Sequence, residues 1–298
     1  MVKFLSSVDW DAEKEANEAI EMLQDWEFDV EQAIPMLSVL FSANDIYQIG
    51  IAKNRCVDIR RKAIAVLEEE DIDSLQRIML QLAQAYRYED FSLNLLKDFL
   101  LSKVTQNRSI SHNFYWTITL EKNITCSERD RQNEIIHDRI VEQFGLLFDE
   151  FIIKLKQDDP EQEQILESQM QFRDQLFEMS GYVNGFNRIN EKKERLREAL
   201  REGGKYEMED FEPKPMPLDP KVYVCGIYPE QCSVFTSAMA PLKLTFKVTE
   251  ETKLLNLPGV DQYCYNVMYK KGDDVRQDQL VLQMIEFMDF ILKQINLD

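Results

Sequence analysis

The residues whose types and spacing could carry chemistry lie close together near the end of the chain. Residues 267–280 read Val-Met-Tyr-Lys-Lys-Gly-Asp-Asp-Val-Arg-Gln-Asp-Gln-Leu. Lys270 ends a stretch typical of a strand. Asp273 and Asp274 follow in a turn, and Asp278 lies in the first turn of a predicted helix. A strand lysine can reach the phosphates of a nucleotide, and an acid on the neighbouring helix can fix its side chain. A solvated turn with acidic helix caps is the ordinary alternative, and spacing alone favours it.

Short strands are the elements that must position this segment. Residues 242–249 alternate apolar and polar side chains without a fault, which predicts a half-buried strand. Residues 222–227 form a short apolar run, residues 263–270 form a third predicted strand, and a helix follows Gly272. We therefore expect a partial α+β lobe over residues 222–298.

Before this lobe, the sequence reads as successive amphipathic helices. Apolar residues recur at three- and four-residue steps, most clearly at Leu75, Ile78, Met79, Leu82 and Tyr86. A later stretch, residues 165–200, is also helical in pattern, but Gly181 and Gly185 weaken its middle. The pattern predicts a mainly α protein with a helical domain over residues 1–205. Helix pairs at this spacing suggest a HEAT-like solenoid, although the repeats are not self-similar.

The composition changes abruptly after the helical domain. Four of the nine prolines, Pro213, Pro215, Pro217 and Pro220, fall into one short stretch. This predicts an extended linker over residues 206–221.

Charge and residue counts exclude several classes of protein. Lys and Arg total 35 against 54 Asp and Glu, a formal net charge of −19 that argues against nonspecific nucleic-acid binding. No apolar run approaches the roughly 20 residues that span a bilayer, and no signal-peptide pattern opens the chain, so a soluble intracellular protein is expected. The five cysteines form no C-x-x-C pair and are expected to be reduced and mostly buried. His112 and His137, the two histidines, are interpreted as surface residues and cannot form a multi-histidine metal centre.

Residues 267–280 closely resemble the K-x-G-D-D-L-R-Q-D signature of phosphatidylinositol 3- and 4-kinases and their protein-kinase relatives, with Val275 where leucine is usual. Gln279 after Asp278 is most similar to the class III phosphatidylinositol 3-kinases, the vacuolar protein-sorting lipid kinases. Five other segments resemble the same family in order along the chain: FLSSVDWD at 4–11, MLQLAQAYRYE at 79–89, FYW at 114–116, GIYPE at 226–230 and FTSAMAP at 235–241. Matches in this order span nearly the whole chain.

The resemblance implies an ATP-binding site. Lys270 would contact the α-phosphate, Asp278 would lie beside this lysine, and Asp273 would lie nearby. The loop around Ser237 would cover the phosphates. This loop has no glycine, and in lipid kinases of this type a serine hydroxyl and backbone N–H groups face the phosphates. A plain loop serine is the alternative for Ser237.

The same resemblance implies a function for a longer protein. Its catalytic base and its Mg²⁺ ligands are expected in a C-lobe beyond residue 298, so ATP and Mg²⁺ are the implied cofactors and no catalytic or metal-binding residue is assigned within the chain. The full enzyme would transfer the ATP γ-phosphate to the 3-hydroxyl of phosphatidylinositol, in endosomal trafficking and autophagy. It would be cytoplasmic and peripheral on those membranes, with a regulatory kinase-like subunit and a Beclin-type subunit.

We expect the 298-residue chain alone to be inactive. A different class of function is also open: a non-catalytic helical scaffold or decoy, with half a kinase lobe, that binds the regulatory subunits of lipid kinases. A phosphatidylinositol 4-kinase shares the G-D-D signature, but the match across the helical domain disfavours it.

Overall fold

Helices and short 3-10 turns build Met1–Pro160, the first of two units into which the chain divides. The computed structural model describes residues 2–43, 51–90, 92–123, 134–237, 239–261, 263–272 and 276–294. The helices of this unit are α1 (Val2–Leu5), α2 (Glu13–Asp25), α3 (Val30–Met36), α4 (Lys53–Glu68), α5 (Ile72–Ala85), α6 (Leu95–Val104), α7 (Arg108–Lys122) and α8 (Glu134–Asp158). The predicted mainly α fold class is confirmed.

Polar side chains start several of these helices. The Asp29 carboxylate accepts from the Gln32 amide at the start of α3, and the Asp71 carboxylate accepts from the Ser74 amide at the start of α5, each at 2.8 Å. Asn107 starts α7 in the same way. Each side chain satisfies a backbone N–H group that has no partner within its helix, so the helix starts are fixed locally by sequence.

A buried turn after α5 ties several helices of the first unit together. Gln143 on α8 donates from its Nε2 atom to the carbonyls of Tyr86 and Glu89, both at 3.0 Å. The Glu89 carboxylate accepts from the amides of Leu96 and Lys97 at the start of α6, at 2.7 and 3.0 Å. This turn therefore joins α5, α6 and α8 through four hydrogen bonds, three of them buried and one partly buried.

The prediction of two surface histidines is wrong for His112. It lies on α7, which packs against α5 and α8, and its side chain is buried against the Trp116 ring. The polar residues before it start the helix instead of forming an exposed turn. His137 is half-buried on α8.

The second unit, Glu161–Asp298, combines helices with one antiparallel sheet. Its elements are α9 (Pro160–Asn184), α10 (Ile189–Leu200), β1 (Asp210–Pro215), β2 (Tyr223–Ile227), β3 (Ser233–Val234), β4 (Leu242–Val248), α11 (Glu250–Leu254), β5 (Cys264–Tyr269) and α12 (Arg276–Gln294). Pro160 takes the first helical position of α9, where its missing N–H removes no helical hydrogen bond. The helical pattern predicted over residues 165–200 divides into α9 and α10 close to Gly185.

Strand β4 is the centre of the sheet. It pairs with β5 on one side and with β2 and β3 on the other, and β1 pairs with β2 at the edge. The observed β2, β4 and β5 lie within the predicted strands. Strand β1 lies within residues 206–221, where the prolines predict an extended linker. Proline is tolerated there because an edge strand leaves some N–H groups outside the ladder.

The sheet and the two helices before it share one apolar core. Its members come from α9, α10 and all five strands or their flanks, and include Phe172, Leu176, Met179, Val183, Leu196, Leu200, Met216, Val224, Val234, Leu244, Phe246 and Val267. The Phe172 ring lies 5.8 Å from the Phe246 ring, centroid to centroid. The structure therefore differs from the predicted helical domain over residues 1–205, because helical periodicity does not reveal which element a helix packs against.

The last described helix, α12, exposes those of its apolar side chains that the structure describes. The exposed set is Leu280, Val281, Leu282, Met284, Ile285, Met288, Ile291 and Leu292. No helix among the described residues combines the length and the apolar character that a bilayer crossing requires.

Candidate functional site

The register of β4 and β5 brings two of the predicted site residues to the same end of the sheet. Leu242, at the start of β4, pairs with Tyr269, at the end of β5. The loop that contains Ser237 leads directly into Leu242, and Lys270 directly follows Tyr269. Residues that are 33 positions apart in the sequence (270 − 237) thus reach the same end of the sheet because the two strands are antiparallel.

The Ser237 loop is closed by its own backbone. Phe235 donates its N–H to the Pro241 carbonyl at 2.9 Å, and Ser237 donates to the Phe235 carbonyl at 3.0 Å. Ala240 donates to the Ser237 carbonyl at 3.0 Å and has a φ of 42°. These N–H groups are therefore used within the loop, whereas the exposed Ser237 side chain carries a hydroxyl that can meet a ligand.

The alternation of side chains along β5 indicates on which face of the sheet the Lys270 side chain lies. The Val267 side chain is buried in the core, and Tyr265 and Tyr269 pack against that core. Burial raises the pKa of the Tyr269 hydroxyl, which agrees with its inward position. Met268 is exposed on the opposite face. Because successive side chains alternate, Lys270 continues the Met268 face, and its side chain is exposed.

The turn after β5 also approaches the Ser237 loop. Gly272 has a φ of +78°, a conformation that side chains rarely adopt. A Cβ atom at Gly272 would lie 3.8 Å from the Cε atom of Met239, which belongs to the same loop as Ser237. The loop and the turn are thus near enough that one added methyl group at Gly272 would reach Met239, which agrees with the strand register.

Of the two predicted acids, Asp278 lies among the described residues. It is exposed in the first turn of α12. Asp273 lies outside the described residues. The roles of Lys270, Ser237, Asp273 and Asp278 in nucleotide binding therefore stay predictions.

The donors at this end of the sheet suit a phosphate group. Lys270 supplies an ammonium group and Ser237 a hydroxyl, and both side chains are exposed. Among the described residues, no group of three His, Cys, Asp or Glu side chains is arranged to hold a metal ion. The sequence resemblance assigns Lys270 and Ser237 to the nucleotide phosphates and assigns no metal ligand within the chain, and these assignments stay predictions.

Sequence reasoning missed Lys271. Its Nζ atom lies 3.8 Å from the centre of the Phe177 ring on α9. The signal that could have found it is the pair of lysines at a strand end, because alternation sends one of two adjacent side chains toward the packed face.

Comparison with known proteins gives consistent matches along the chain. Residues 1–159 match the phosphoinositide 3-kinase family, accessory domain (PIK domain), and residues 264–298 match phosphatidylinositol 3- and 4-kinase. The chain is 32% identical to phosphatidylinositol 3-kinase pik3 of Schizosaccharomyces pombe and 34% identical to phosphatidylinositol 3-kinase VPS34 of Arabidopsis thaliana, in both cases over 100% of its own length. It is 33% identical to phosphatidylinositol 3-kinase VPS34 of Candida albicans over 84% of its length. The chain covers 34%, 33% and 27% of these relatives, respectively.

Proposed function

Because the chain belongs to the phosphoinositide 3-kinase family, as the sequence resemblance predicted, we propose that it supplies the accessory helical domain and the first kinase lobe of a phosphatidylinositol 3-kinase. The proposed reaction transfers the γ-phosphate of ATP to the 3-hydroxyl of phosphatidylinositol. The observation that carries the proposal is the identity of 32–34% to phosphatidylinositol 3-kinases over the whole chain. The position of Lys270 and Ser237 at one end of the sheet supports it.

In this proposal, the residues of the chain bind and orient the nucleotide. The Lys270 ammonium pairs with phosphate oxygens, and the Ser237 hydroxyl donates a hydrogen bond to them. Asp278 would orient the Lys270 side chain, and the sequence resemblance assigns Asp273 to the same site. ATP, when bound with Mg²⁺, supplies the phosphoryl group. The catalytic base and the metal ligands are assigned to no residue of this chain.

The proposed cellular setting is the surface of endosomal and autophagic membranes, in a complex with a regulatory kinase-like subunit and a Beclin-type subunit. The net charge of −19 supports a role for such partners, because an acidic protein is repelled by anionic lipids. Membrane attachment is then supplied by the partners and by other parts of the enzyme.

A lipid-kinase assay tests the proposal. The longest native protein that contains this chain is mixed with phosphatidylinositol vesicles and ATP, and the product is identified by its phosphate position. We expect 3-phosphorylated lipid, loss of product in Lys270→Met, and full activity in the control Lys221→Met, an exposed lysine near the opposite end of the sheet. A 4-phosphorylated product would replace the proposal with a 4-kinase function.

The same assay on residues 1–298 tests the expectation that this chain is inactive alone. Measurable lipid phosphorylation by the purified chain would contradict it. The scaffold alternative predicts a different pattern: regulatory subunits bind the native protein, whereas Lys270→Met changes nothing. That outcome would make the helical scaffold the better function.

A further inference from the structure

The side chain of Lys271 is seated on helix α9. Its Nζ atom lies 3.8 Å from the centre of the Phe177 ring and donates to the Phe177 backbone carbonyl at 3.5 Å. An ammonium group over an aromatic face is attracted by the electrons of the ring. The residue immediately after Lys270 is therefore held by a helix of the same structural unit.

A glycine in α9 leaves the space that the Lys271 side chain occupies. Gly181 lies one helical turn after Phe177, so both residues share one face of α9. A Cβ atom at Gly181 would lie 2.7 Å from the Lys271 Nζ atom, closer than van der Waals contact allows. Glycine is an unfavourable residue inside a helix. Here the missing side chain allows the Lys271 ammonium group to lie against α9.

The contact of Lys271 with α9 fixes the end of β5, and the proposed phosphate-binding groups lie at this end. Lys270 and Lys271 are adjacent, so they point to opposite faces of the sheet. A Cβ atom at Gly272, the next residue, would lie 3.8 Å from the Cε atom of Met239 in the Ser237 loop, so the end of β5 lies near that loop. Anchoring Lys271 on α9 therefore restrains Lys270 beside the loop.

We propose that Lys271 is a positioning residue, which anchors the end of β5 on Phe177 and Gly181 of α9 and so fixes Lys270 for phosphate binding. The inference deepens the proposed function and rests on it for the role of Lys270. The anchor itself is a property of the folded chain, and it can be tested without any nucleotide.

Amide hydrogen exchange on the 298-residue chain tests the anchor. In Lys271→Met and Phe177→Leu we expect exchange of the amides of residues 269–272 to accelerate about three- to tenfold. Gly181→Ala should accelerate the same amides while slowing exchange within α9, because alanine strengthens the helix and displaces the lysine. Lys271→Arg should stay near wild type, and Lys221→Met is the matched control. Wild-type exchange at residues 269–272 in both Lys271→Met and Gly181→Ala would overturn the anchor.

Steady-state kinetics of the longest native protein that contains the chain test the consequence. Lys271→Met should raise the KM for ATP about three- to tenfold and leave the KM for phosphatidylinositol unchanged, and Lys271→Arg should restore the ATP value. A fall in kcat with an unchanged KM for ATP would refute the positioning role. If Lys270→Met forms product at the wild-type rate, the proposed function fails, and the exchange experiment still decides whether Lys271 is an anchor.

Discussion

Burial separates the described cysteines into two chemical kinds. Cys56 and Cys232 are buried, and burial raises the pKa of each thiol to about 11. Cys225 and Cys264 are half-buried on β2 and β5. The thiolate is the reactive form of cysteine, so the two buried thiols are both shielded from reagents and almost wholly protonated at neutral pH.

We therefore expect selective alkylation of the native chain. The pKa of about 11 for the Cys56 and Cys232 thiols lies far above neutral pH. At about pH 7.5, iodoacetamide should therefore modify Cys225 and Cys264 well before Cys56 and Cys232. Peptide mass spectrometry at timed intervals measures the order, and labelling in urea provides the control in which all sites react. Early modification of Cys56 in the folded chain would contradict the expected burial.

A single buried carboxylate, that of Glu89, helps to hold the start of α6 in the first unit. Glu89 is 0% exposed, its oxygens accept from two amides of α6, and the buried Arg60 guanidinium provides a nearby positive charge. Burial dominates and raises the Glu89 pKa, whereas Arg60 opposes the shift. The buried Glu89 side chain is thus stabilised by the hydrogen bonds from the two amides as well as by the charge of Arg60.

Glu89→Gln should lower the free energy of unfolding by about 1–3 kcal/mol, because its NH₂ group would face an amide donor that then has no acceptor. Urea denaturation followed by circular dichroism measures the change. The matched control is Glu13→Gln, an exposed residue of α2, which should leave the stability unchanged. Equal stability of the two variants would mean that Glu89 is not needed at the start of α6.

At the scale of whole elements, caps are the features that sequence and structure share most directly. The Asn107 side chain accepts from the amides of Ser109 and Ile110 at 2.8 and 3.1 Å. Both donors belong to the first turn of α7, whose other residues pack against α5 and α8. The cap therefore acts on a helix at the centre of the first unit.

Asn107→Ala should destabilise the chain by about 1 kcal/mol, and Asn107→Asp should be nearly neutral because its carboxylate can accept the same two bonds. Guanidinium denaturation of the two variants and the wild type, analysed with a common slope, measures the difference. An alanine variant as stable as the aspartate variant would show that α7 starts without help from this side chain.

Elements with regular patterns could be predicted from the sequence, and those defined by tertiary pairing could not. Strand β4 follows from strict alternation: the apolar Leu242, Leu244, Phe246 and Val248 are buried, and the polar Lys243 and Lys247 on the other face are half-buried. Strand β1 was missed because Pro213 and Pro215 are typical of linkers, and only its edge position makes them compatible with a sheet.

The same limit applies to the candidate site. Lys270 and Ser237 were selected through resemblance, but the pairing of Leu242 with Tyr269 that brings them together is a property of the folded sheet. Lys271 was missed because Phe177 lies 94 positions away in the sequence.

At the scale of the molecule, the boundary between the two units indicates which parts of the chain must fold together. The chain divides at Pro160, and α9 and α10 share a core with the sheet. A domain cut at residue 205 would expose Leu176, Leu196 and Leu200 on one fragment and the apolar side of the sheet on the other. The second unit therefore needs both helices to bury its strands.

We expect residues 161–298 to unfold cooperatively on heating and residues 206–298 to lack a cooperative transition, because the shorter piece loses the α9 and α10 side of its core. Circular dichroism in the far and near ultraviolet measures both transitions. Cooperative unfolding of residues 206–298, with fixed near-ultraviolet signals, would show that the sheet folds without these helices.

The glycine in α9 has a consequence for attempts to improve the protein. Gly181→Ala is a standard stabilising substitution, and its helix propensity favours alanine by about 1 kcal/mol. A screen that ranks variants by melting temperature would select it. Because alanine at this position would displace Lys271, we expect the selected variant to bind ATP more weakly, so heat tolerance and ATP affinity would change in opposite directions at one position.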